Sequence, residues 1–272
     1  MIDDAHMEQF ADALDVADAP SPTSTLVIAS TPRSGSHMLG HMLRQTELFG
    51  VPFEYAMPDN LDVWKRKLGT TGLDDTLDAI MRRRTTRNGV FCIKLHYEHL
   101  QTFGGLAEAL RRFPNPRLVR IVREDVLAQA ISFVKASQTG VWLYGQVGNP
   151  DAASYDGEAI HAALQKVVLD NASWSYDIAH AGLRAPTVIF EELLADPLSC
   201  ARKVADHAGV AFDETSTPLG AATTRQSDKS ERDAWKARYL SETDATTLRA
   251  SLKQGKRQRG GLVRRAARAL RT

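Results

Sequence analysis

The segment at positions 31–37 (TPRSGSH) combines residue types that bind a tetrahedral anion. An apolar run precedes it and an amphipathic pattern follows, so the sequence predicts a strand, a tight turn and the start of a helix. Gly35 allows the backbone to curl around a ligand, and N–H groups at a helix start point at bound anions. Arg33 adds a forked cation, and the hydroxyls of Ser34 and Ser36 add donors. The segment therefore predicts a phosphate or sulfate site, with an ordinary serine-capped turn as the alternative.

A second group of residues has the same arrangement further along the chain. The apolar run 117–122 predicts a strand, and Arg123 stands at its carboxyl end. A helical pattern begins near Asp125 and places Ser132 two turns further on. We expect Arg123 and Ser132 to hold one phosphate, with a salt bridge from Arg123 to Glu124 or Asp125 and a solvated Ser132 as the alternatives. Two anion sites at strand ends favour a ligand with a phosphate at each end of a nucleoside.

The first loop differs from the phosphate-binding loop of nucleoside triphosphatases. It lacks the first glycine of the G-x-x-x-x-G-K-[ST] pattern and has no lysine in the phosphate-binding place. A kinase-like or nucleotide-hydrolysing enzyme therefore stands only as an alternative. His37 and His41 are spaced to share a helix face, but no third metal ligand lies nearby in the sequence. We expect a pair on the helix surface and no metal ion.

Strand and helix patterns alternate along the chain. This alternation predicts an α/β fold of three layers, with a mostly parallel central sheet and helices on both faces. Because open sheets of this class bind ligands beyond the carboxyl ends of their strands, we expect 55–72 and 140–157 to be loops that bind the acceptor. The predicted strands are 25–30, 89–94, 117–122 and 187–190, and the predicted helices are 36–46, 99–111, 126–137, 159–181 and a last one from Glu231.

Together, TPRSGS (31–36) and VREDVLAQAISF (122–133) resemble the two signatures with which sulfotransferases bind the donor PAPS (3′-phosphoadenosine 5′-phosphosulfate). The chain is similar to the bacterial trehalose sulfotransferase family and its relatives that sulfate lipo-oligosaccharides. The resemblance implies the P-loop-like sulfotransferase fold over residues 24–250, PAPS as the donor, and a hydroxyl of a carbohydrate or glycolipid as the acceptor. Val51 stands where the trehalose enzyme has a glutamate, which argues against trehalose itself. Further similar stretches are GVPFEY (50–55), 132–142, 188–210 and 225–239.

The resemblance also implies roles for individual residues. Glu54 matches the family's catalytic glutamate, which takes the proton of the acceptor hydroxyl. Arg33 is expected to stabilise charge on the departing nucleotide, and Lys94 at a strand end to add a second cation. The alternatives are a capping or surface position for Glu54 and a surface position for Lys94. Arg123 and Ser132 are one position further apart than is usual in the family. The residues expected to contact the donor are Arg33, Ser34, Gly35, Ser36, His37, Arg123, Ser132 and Arg225.

Charge is distributed unevenly over the 272 residues. From Lys253 onward there are eight basic residues and no acidic one, while the rest of the chain has 26 basic and 33 acidic residues. The acidic balance argues against a nucleic-acid-binding core. The basic C-terminal tail, 251–272, is typical of a disordered extension, and its segment 262–271 also fits a short helix on anionic lipid. A non-enzymatic module that binds anions or membranes through this tail is the second alternative function.

The start of the chain and its cysteines predict a compartment. Residues 1–23 have the composition of a flexible lead-in, and no lysine or arginine occurs in the first eight positions, which argues against a secretory signal. Cys92 and Cys200 lie in apolar contexts, which predicts buried free thiols in a reducing environment. We expect a cytoplasmic enzyme; contact with the inner membrane surface and a homodimer are open options.

Overall fold

The computed structural model describes residues 8–142, 146–214 and 229–243. Its four strands are β1 (Ser24–Ser30), β2 (Val90–His96), β3 (Pro116–Val122) and β4 (Thr187–Ile189). They pair in parallel in the order β2-β1-β3-β4. Because the register places Ser30 opposite His96, the carboxyl ends of β1 and β2 meet at one edge of the sheet. The four predicted strands and their parallel arrangement are confirmed.

Alternate side chains of the strands enter two separate hydrophobic cores, one on each face of the sheet. The first core takes Val27 and Ile93 and packs them against Trp64 and Trp174. The second core takes the intervening positions of the strands, and its members from strands and helices include Leu26, Ile28, Cys92, Val119, Leu39, Met42, Leu193 and Val204. The three-layer α/β prediction is therefore confirmed.

Helices cover both faces of the sheet in the described part of the chain. In chain order they are α1 (Ser36–Gln45), α2 (Pro58–Leu68), α3 (Leu73–Arg84), α4 (Leu106–Arg111), α5 (Val126–Thr139), α6 (Gly157–His180), α7 (Phe190–Ala195), α8 (Pro197–Ala208) and α9 (Lys229–Glu242). α9 packs against α5 and α6 through Trp235 and Tyr239, which belong to a third cluster of buried residues. No helix in these ranges is both long and apolar enough to cross a bilayer.

The expected loop at 55–72 is instead largely a helix. Pro58 stands in the first turn of α2, where its missing N–H costs nothing, and Gly69 ends the helix in the left-handed conformation. Leu61 and Trp64 are buried three positions apart, which is the helical spacing. The prediction of a loop is wrong. Only these two core positions have the helical spacing of apolar residues, and the charged residues around them make that spacing hard to recognise in the sequence.

The expected helix at 99–111 is interrupted. Gly104 and Gly105 both have a positive φ, of 86° and 128°, which an α-helix cannot contain. They separate a short 3₁₀ segment, Tyr97–Thr102, from α4. The paired glycines therefore turn the chain at a place where the apolar spacing alone predicted one continuous helix.

The described part of the predicted lead-in packs against the domain. Phe10 is 5% exposed and lies in the first core, 5.4 Å from the ring of Trp64. The fully buried Arg84 holds this segment: it donates to the carbonyl of Ala11 at 2.9 Å and contacts Asp15 at 3.0 Å. Residues 8–16 thus differ from the flexible lead-in that the sequence predicts, because a buried cation and an aromatic contact anchor them.

The two cysteines lie on the second face of the sheet. Cys92 on β2 and Cys200 on α8 are both buried free thiols. The prediction of buried free thiols is confirmed. The basic tail lies outside the described residues.

Candidate active site

The loop between β1 and α1 bends sharply at two positions. Arg33 has a φ of 64° and Gly35 a φ of 91°, both in the left-handed region. A Cβ at Gly35 would lie 2.2 Å from the ring of Phe190, so only glycine fits without a shift of that ring. Gly35, Ser36 and His37 line one cleft, at the end of α1 where helix N–H groups lack partners within the helix. The predicted strand–turn–helix is present.

The loop is supported by Gln129 of α5. Its Nε2 donates to Thr31 Oγ1 at 2.9 Å and to the carbonyl oxygen of Pro32 at 2.7 Å. The N–H of Ser34 closes the turn by donating to the carbonyl oxygen of Thr31 at 3.2 Å. Its side chain is fully buried and is not part of the cleft lining, unlike that of Ser36. The N–H of Ser34 therefore stabilises the turn, and the contact of its hydroxyl with a ligand stays a prediction.

Arg33 joins the loop to the second predicted anion site. Its Nε donates to Ser132 Oγ at 3.0 Å, and its Nη1 donates to the carbonyl oxygen of Trp142. Burial, and secondarily the like charge of Arg123, lower the pKa of Arg33 to about 10. The guanidinium stays charged at neutral pH, in surroundings that favour an anion. The structure thus brings Arg33, Ser132 and Arg123 together across about a hundred residues of sequence.

Arg123 follows β3 directly and lies over the ring of Phe190. Its Cζ is 5.0 Å from the ring centroid, and its Nε is 3.9 Å from Glu191 Oε1. That Nε is buried without a hydrogen-bond partner among the described residues. The predicted alternative, a salt bridge to Glu124 or Asp125, is wrong, because the ion pair of Arg123 is with Glu191. Asp125 instead caps α5 through the N–H of Ala128 and pairs with Lys236. Arg123 keeps a donor for a ligand oxygen.

Glu54 lies in a segment that runs alongside β2. The N–H of Lys94 donates to the carbonyl oxygen of Phe53 at 2.9 Å, which carries Glu54 to the carboxyl end of that strand. The carboxylate Oε1 is 2.9 Å from Lys94 Nζ and 3.1 Å from His96 Nε2. Burial opposes ionisation of Glu54, but the charges of Lys94 and His96 outweigh it and hold its pKa well below the ordinary value. Glu54 is a carboxylate at neutral pH.

Lys94 is not the surface lysine of the alternative prediction. It is 3% exposed and lines the cleft with Glu54. A buried ammonium needs a partner, and the Glu54 carboxylate supplies it. Lys94 is therefore a fixed cation beside the carboxylate.

His37 and His41 of α1 are in contact, with their ring centroids 4.2 Å apart and their planes tilted by 51°; His37 lines the cleft. Burial lowers the pKa of His37 to about 2, so its ring is neutral and can donate one hydrogen bond but adds no charge to an anion site. His41 lies 3.7 Å from Glu8, in the segment that the structure packs against the domain. The two histidines are half-buried, which differs from the predicted surface pair.

These groups share a cleft of about 970 Å³, which lies within the range of small-molecule sites. Of the predicted residues, it brings together Arg33, Gly35, Ser36, His37, Glu54, Lys94, Arg123 and Ser132. Arg225 lies outside the described residues. In the same described ranges, no group of three metal-ligating side chains occurs.

Several lining residues were missed in the sequence. His96 and His99 follow Lys94 in the chain and lie at the same strand end. His96 could have been predicted from the sequence, because residues two apart in a strand share a face and His96 is two positions after Lys94. Phe190, after β4, and Arg232, on α9, have no such local signal and come from the tertiary fold.

Comparison with known proteins identifies the family. The family model described as Stf0 sulphotransferase matches residues 25–242, most of the chain. The chain belongs to the Stf0 sulphotransferase family. It is thus a sulfotransferase, as the segments 31–36 and 122–133 indicate. The kinase-like and the purely non-enzymatic alternatives are set aside by this match.

Relatives of this Stf0 sulfotransferase include the trehalose 2-sulfotransferase of Mycolicibacterium smegmatis. The two are 28% identical over 196 residues, with 56% of this chain and 72% of the relative covered. Among solved structures, the sulfotransferase domain of a Synechococcus olefin synthase is 18% identical, with 87% of this chain and 94% of that chain covered and a TM-score of 0.43. A mouse sulfotransferase complexed with PAP is 12% identical, with 91% of each chain covered and a TM-score of 0.45.

Proposed function

We propose that this sulfotransferase moves a sulfuryl group from PAPS to a hydroxyl of a carbohydrate or glycolipid. The observation that carries the proposal is the convergence, in one cleft, of the Glu54 carboxylate with Arg33 and Arg123. PAPS has a phosphosulfate at one end of its nucleoside and a 3′-phosphate at the other, so it requires two anion sites. Arg33 follows β1 and Arg123 follows β3, and these strands are neighbours in the sheet. In this proposal Arg33 binds the phosphosulfate end of the donor and Arg123 the 3′-phosphate.

Glu54 is the proposed general base. Its carboxylate takes the proton from the acceptor hydroxyl as the acceptor oxygen forms a bond to sulfur. The bond between sulfur and the bridging oxygen breaks, and that oxygen leaves with the electron pair on the nucleotide, PAP (3′,5′-adenosine bisphosphate). The products are the sulfated acceptor, PAP and a protonated Glu54, which returns its proton to solvent.

The low pKa of Glu54 is compatible with this role. Sulfuryl transfer resembles phosphoryl transfer, in which a loose transition state places little demand on the strength of the nucleophile. Positioning and electrostatic stabilisation therefore contribute more than basicity. A carboxylate that is ionised throughout the neutral range is always ready to accept the proton.

Arg33 and Lys94 are the proposed partners of the charge that moves during transfer. Charge accumulates on the bridging oxygen as the nucleotide leaves, and fixed donors that face this oxygen stabilise it without reorganisation. Arg33 is held by Ser132 at 3.0 Å, which fixes its direction. Lys94, 2.9 Å from Glu54, places a second cation next to the carboxylate and the transferred group.

The proposed acceptor is carbohydrate in nature. The segments that flank Glu54 and His96 line the cleft with polar and apolar groups: Phe53 and Met57 on one segment, Glu98 and Gln101 on the other. Carboxylate and amide groups hydrogen-bond sugar hydroxyls, and apolar side chains contact the faces of sugar rings. A relative named trehalose 2-sulfotransferase adds support for a sugar acceptor.

The donor assignment is tested by ligand-induced stabilisation. PAP should raise the melting temperature of the parent, and ADP, which lacks the 3′-phosphate, should raise it far less. Arg123→Gln should abolish most of the difference between the two nucleotides. Arg117→Gln, an exposed arginine at the other end of the same strand, is the matched control and should behave like the parent. Equal stabilisation of the parent by ADP and PAP would overturn PAPS as the donor.

A further inference from the structure

His96 lies between the end of β1 and the Glu54 carboxylate. Its Nε2 is 3.1 Å from Glu54 Oε1, and its Nδ1 is 2.9 Å from Ser30 Oγ. Ser30 and His96 are the last residues of neighbouring strands and stand directly opposite each other in the register. They are 1% and 8% exposed, so both contacts are largely shielded from water. The imidazole is held at both nitrogens by rigid elements.

The direction of these hydrogen bonds follows from the chemistry of the partners. An ionised carboxylate only accepts, so His96 Nε2 carries the hydrogen and donates to Glu54. Ser30 Oγ is within reach of His96 Nδ1 at 2.9 Å and of the carbonyl oxygen of Leu95 at 3.2 Å. The hydroxyl donates to a neutral ring, or it turns to Leu95 and accepts from a protonated ring. Ser30 thus keeps Nε2–H directed at Glu54 in both protonation states.

Both partners of Glu54 contact the same carboxylate oxygen. Lys94 Nζ and His96 Nε2 reach Oε1, at 2.9 and 3.1 Å. This leaves Oε2 for the acceptor hydroxyl. The Lys94 ammonium is a point charge and imposes no direction on the carboxylate, whereas a planar ring held at its far side fixes a direction.

From this geometry we infer that His96, held by Ser30, is a positioning residue that orients Glu54 so that Oε2 faces the acceptor. The inference rests on the proposed role of Glu54 as the base. His96 itself does not touch the reacting atoms in this arrangement. Its loss should therefore lower kcat and leave donor binding unchanged.

Two amide substitutions separate the two nitrogens of the ring. In His96→Gln the amide nitrogen takes the place of Nε2, so the donor to Glu54 is kept. In His96→Asn the amide can reach only the place of Nδ1, so that donor is lost. We expect His96→Asn to lower kcat by about 10- to 100-fold, the scale of one lost hydrogen bond to a charged group, and His96→Gln to stay within about threefold of the parent. The Kd for PAP should not change in either.

The pH dependence of kcat is a second readout, because a purely structural role of His96 would not change it. The titratable groups that face Glu54 are Lys94, His96 and His99 from β2 and the turn after it, and His37 from α1. His96→Asn removes one of the partners that lower the pKa of Glu54, so the acid limb of kcat should move to higher pH. His96→Gln should shift it less, because the hydrogen bond remains.

The assay measures transfer from radiolabelled PAPS to a glycan and glycolipid extract, with PAP binding followed by calorimetry. His180→Gln, at an exposed histidine at the end of α6, should match the parent. Ser30→Ala is the second route if a His96 variant does not fold: it frees the ring and should lower kcat with PAP binding intact.

The outcomes distinguish this inference from the proposed function. Equal losses in His96→Gln and His96→Asn, or a parental rate in His96→Asn, would overturn the positioning role while Glu54 stands. Activity in Glu54→Gln together with inactivity of both His96 variants would make His96 the base and overturn both. A parent that neither binds PAP nor transfers the label would overturn the proposed function first.

Discussion

Replacing Lys94 with methionine tests the buried ion pair on which the site depends. The side chain of Lys94 is 4% exposed and that of Glu54 22%, with Nζ and Oε1 2.9 Å apart. Removing one partner of a fully buried pair costs about 3–5 kcal/mol, because the other charge is left unpaired. Glu54 keeps His96 and some contact with solvent, so the cost should lie at or below the lower end of this range. We expect Lys94→Met to lower the free energy of unfolding by about 2–3 kcal/mol at pH 7.

The sign of the pH dependence follows from the direction of the pKa shift. Burial raises the pKa of Glu54, but Lys94 and His96 lower it further, to well below the ordinary value. The group therefore contributes stability above its unfolded pKa of about 4.3, and this contribution is lost as the pH falls through the folded pKa. Without Lys94 the folded pKa rises. The cost of Lys94→Met should shrink as the pH falls below that raised value.

Urea unfolding of a double-mutant cycle measures the effect. Adding Glu54→Gln to Lys94→Met removes the unpaired charge, so the double variant should be more stable at pH 7 than Lys94→Met alone. Lys65→Met, in a partly exposed pair with Asp62, is the control and should change stability little. The ion pair between Lys94 and Glu54 would be refuted if the stability losses of the two single variants add up in the double variant. It would also be refuted if Lys94→Met costs the same stability at pH 7 and pH 4.5.

Three further predictions address the donor loop and the tail. Arg33→Ala should lower turnover and should weaken the binding free energy of PAP, measured by calorimetry, by roughly 1.5–3 kcal/mol, because a charge-assisted contact is lost. Parental values of both quantities would mean that Arg33 does not contact the donor. Gly35→Ala should lower the melting temperature, because the new Cβ would lie 2.2 Å from Phe190 at a positive φ; an unchanged melting temperature would mean that the ring moves freely. Removing 253–272 should leave cooperative unfolding and activity on a soluble acceptor, and a lost transition in calorimetry would show that the tail packs on the domain.

The anion-binding part of the site could be predicted from the sequence because its residues are close in the chain. The segment 31–37 directly follows β1 and contains the turn and the start of α1, so its geometry is local. Arg123 follows a strand in the same way, and parallel pairing brings the ends of β1 and β3 to one edge of the sheet. The contact between Arg33 and Ser132 follows from this topology.

The partners of these residues could not be predicted in the same way. Glu54 and Lys94 are 40 positions apart, and their contact depends on the segment at 53 running alongside β2 through Phe53 and Ile93. Glu191 is the carboxylate near Arg123, and not the adjacent Glu124 or Asp125 of the alternative interpretation. In each case the sequence supplies several charged candidates, and only tertiary packing selects one.

Sulfuryl transfer by Glu54→Gln tests the central claim most directly. The substitution keeps the size of the side chain and removes its ability to take a proton. With radiolabelled PAPS and the extract that the parent sulfates, transfer should fall by about 10²–10⁴, the scale of general-base catalysis, while the Kd for PAP stays near the parental value. The exposed Glu158→Gln at the start of α6 is the matched control and should transfer at the parental rate. Parental transfer by Glu54→Gln across pH 6–8 would contradict the assignment of Glu54 as the base.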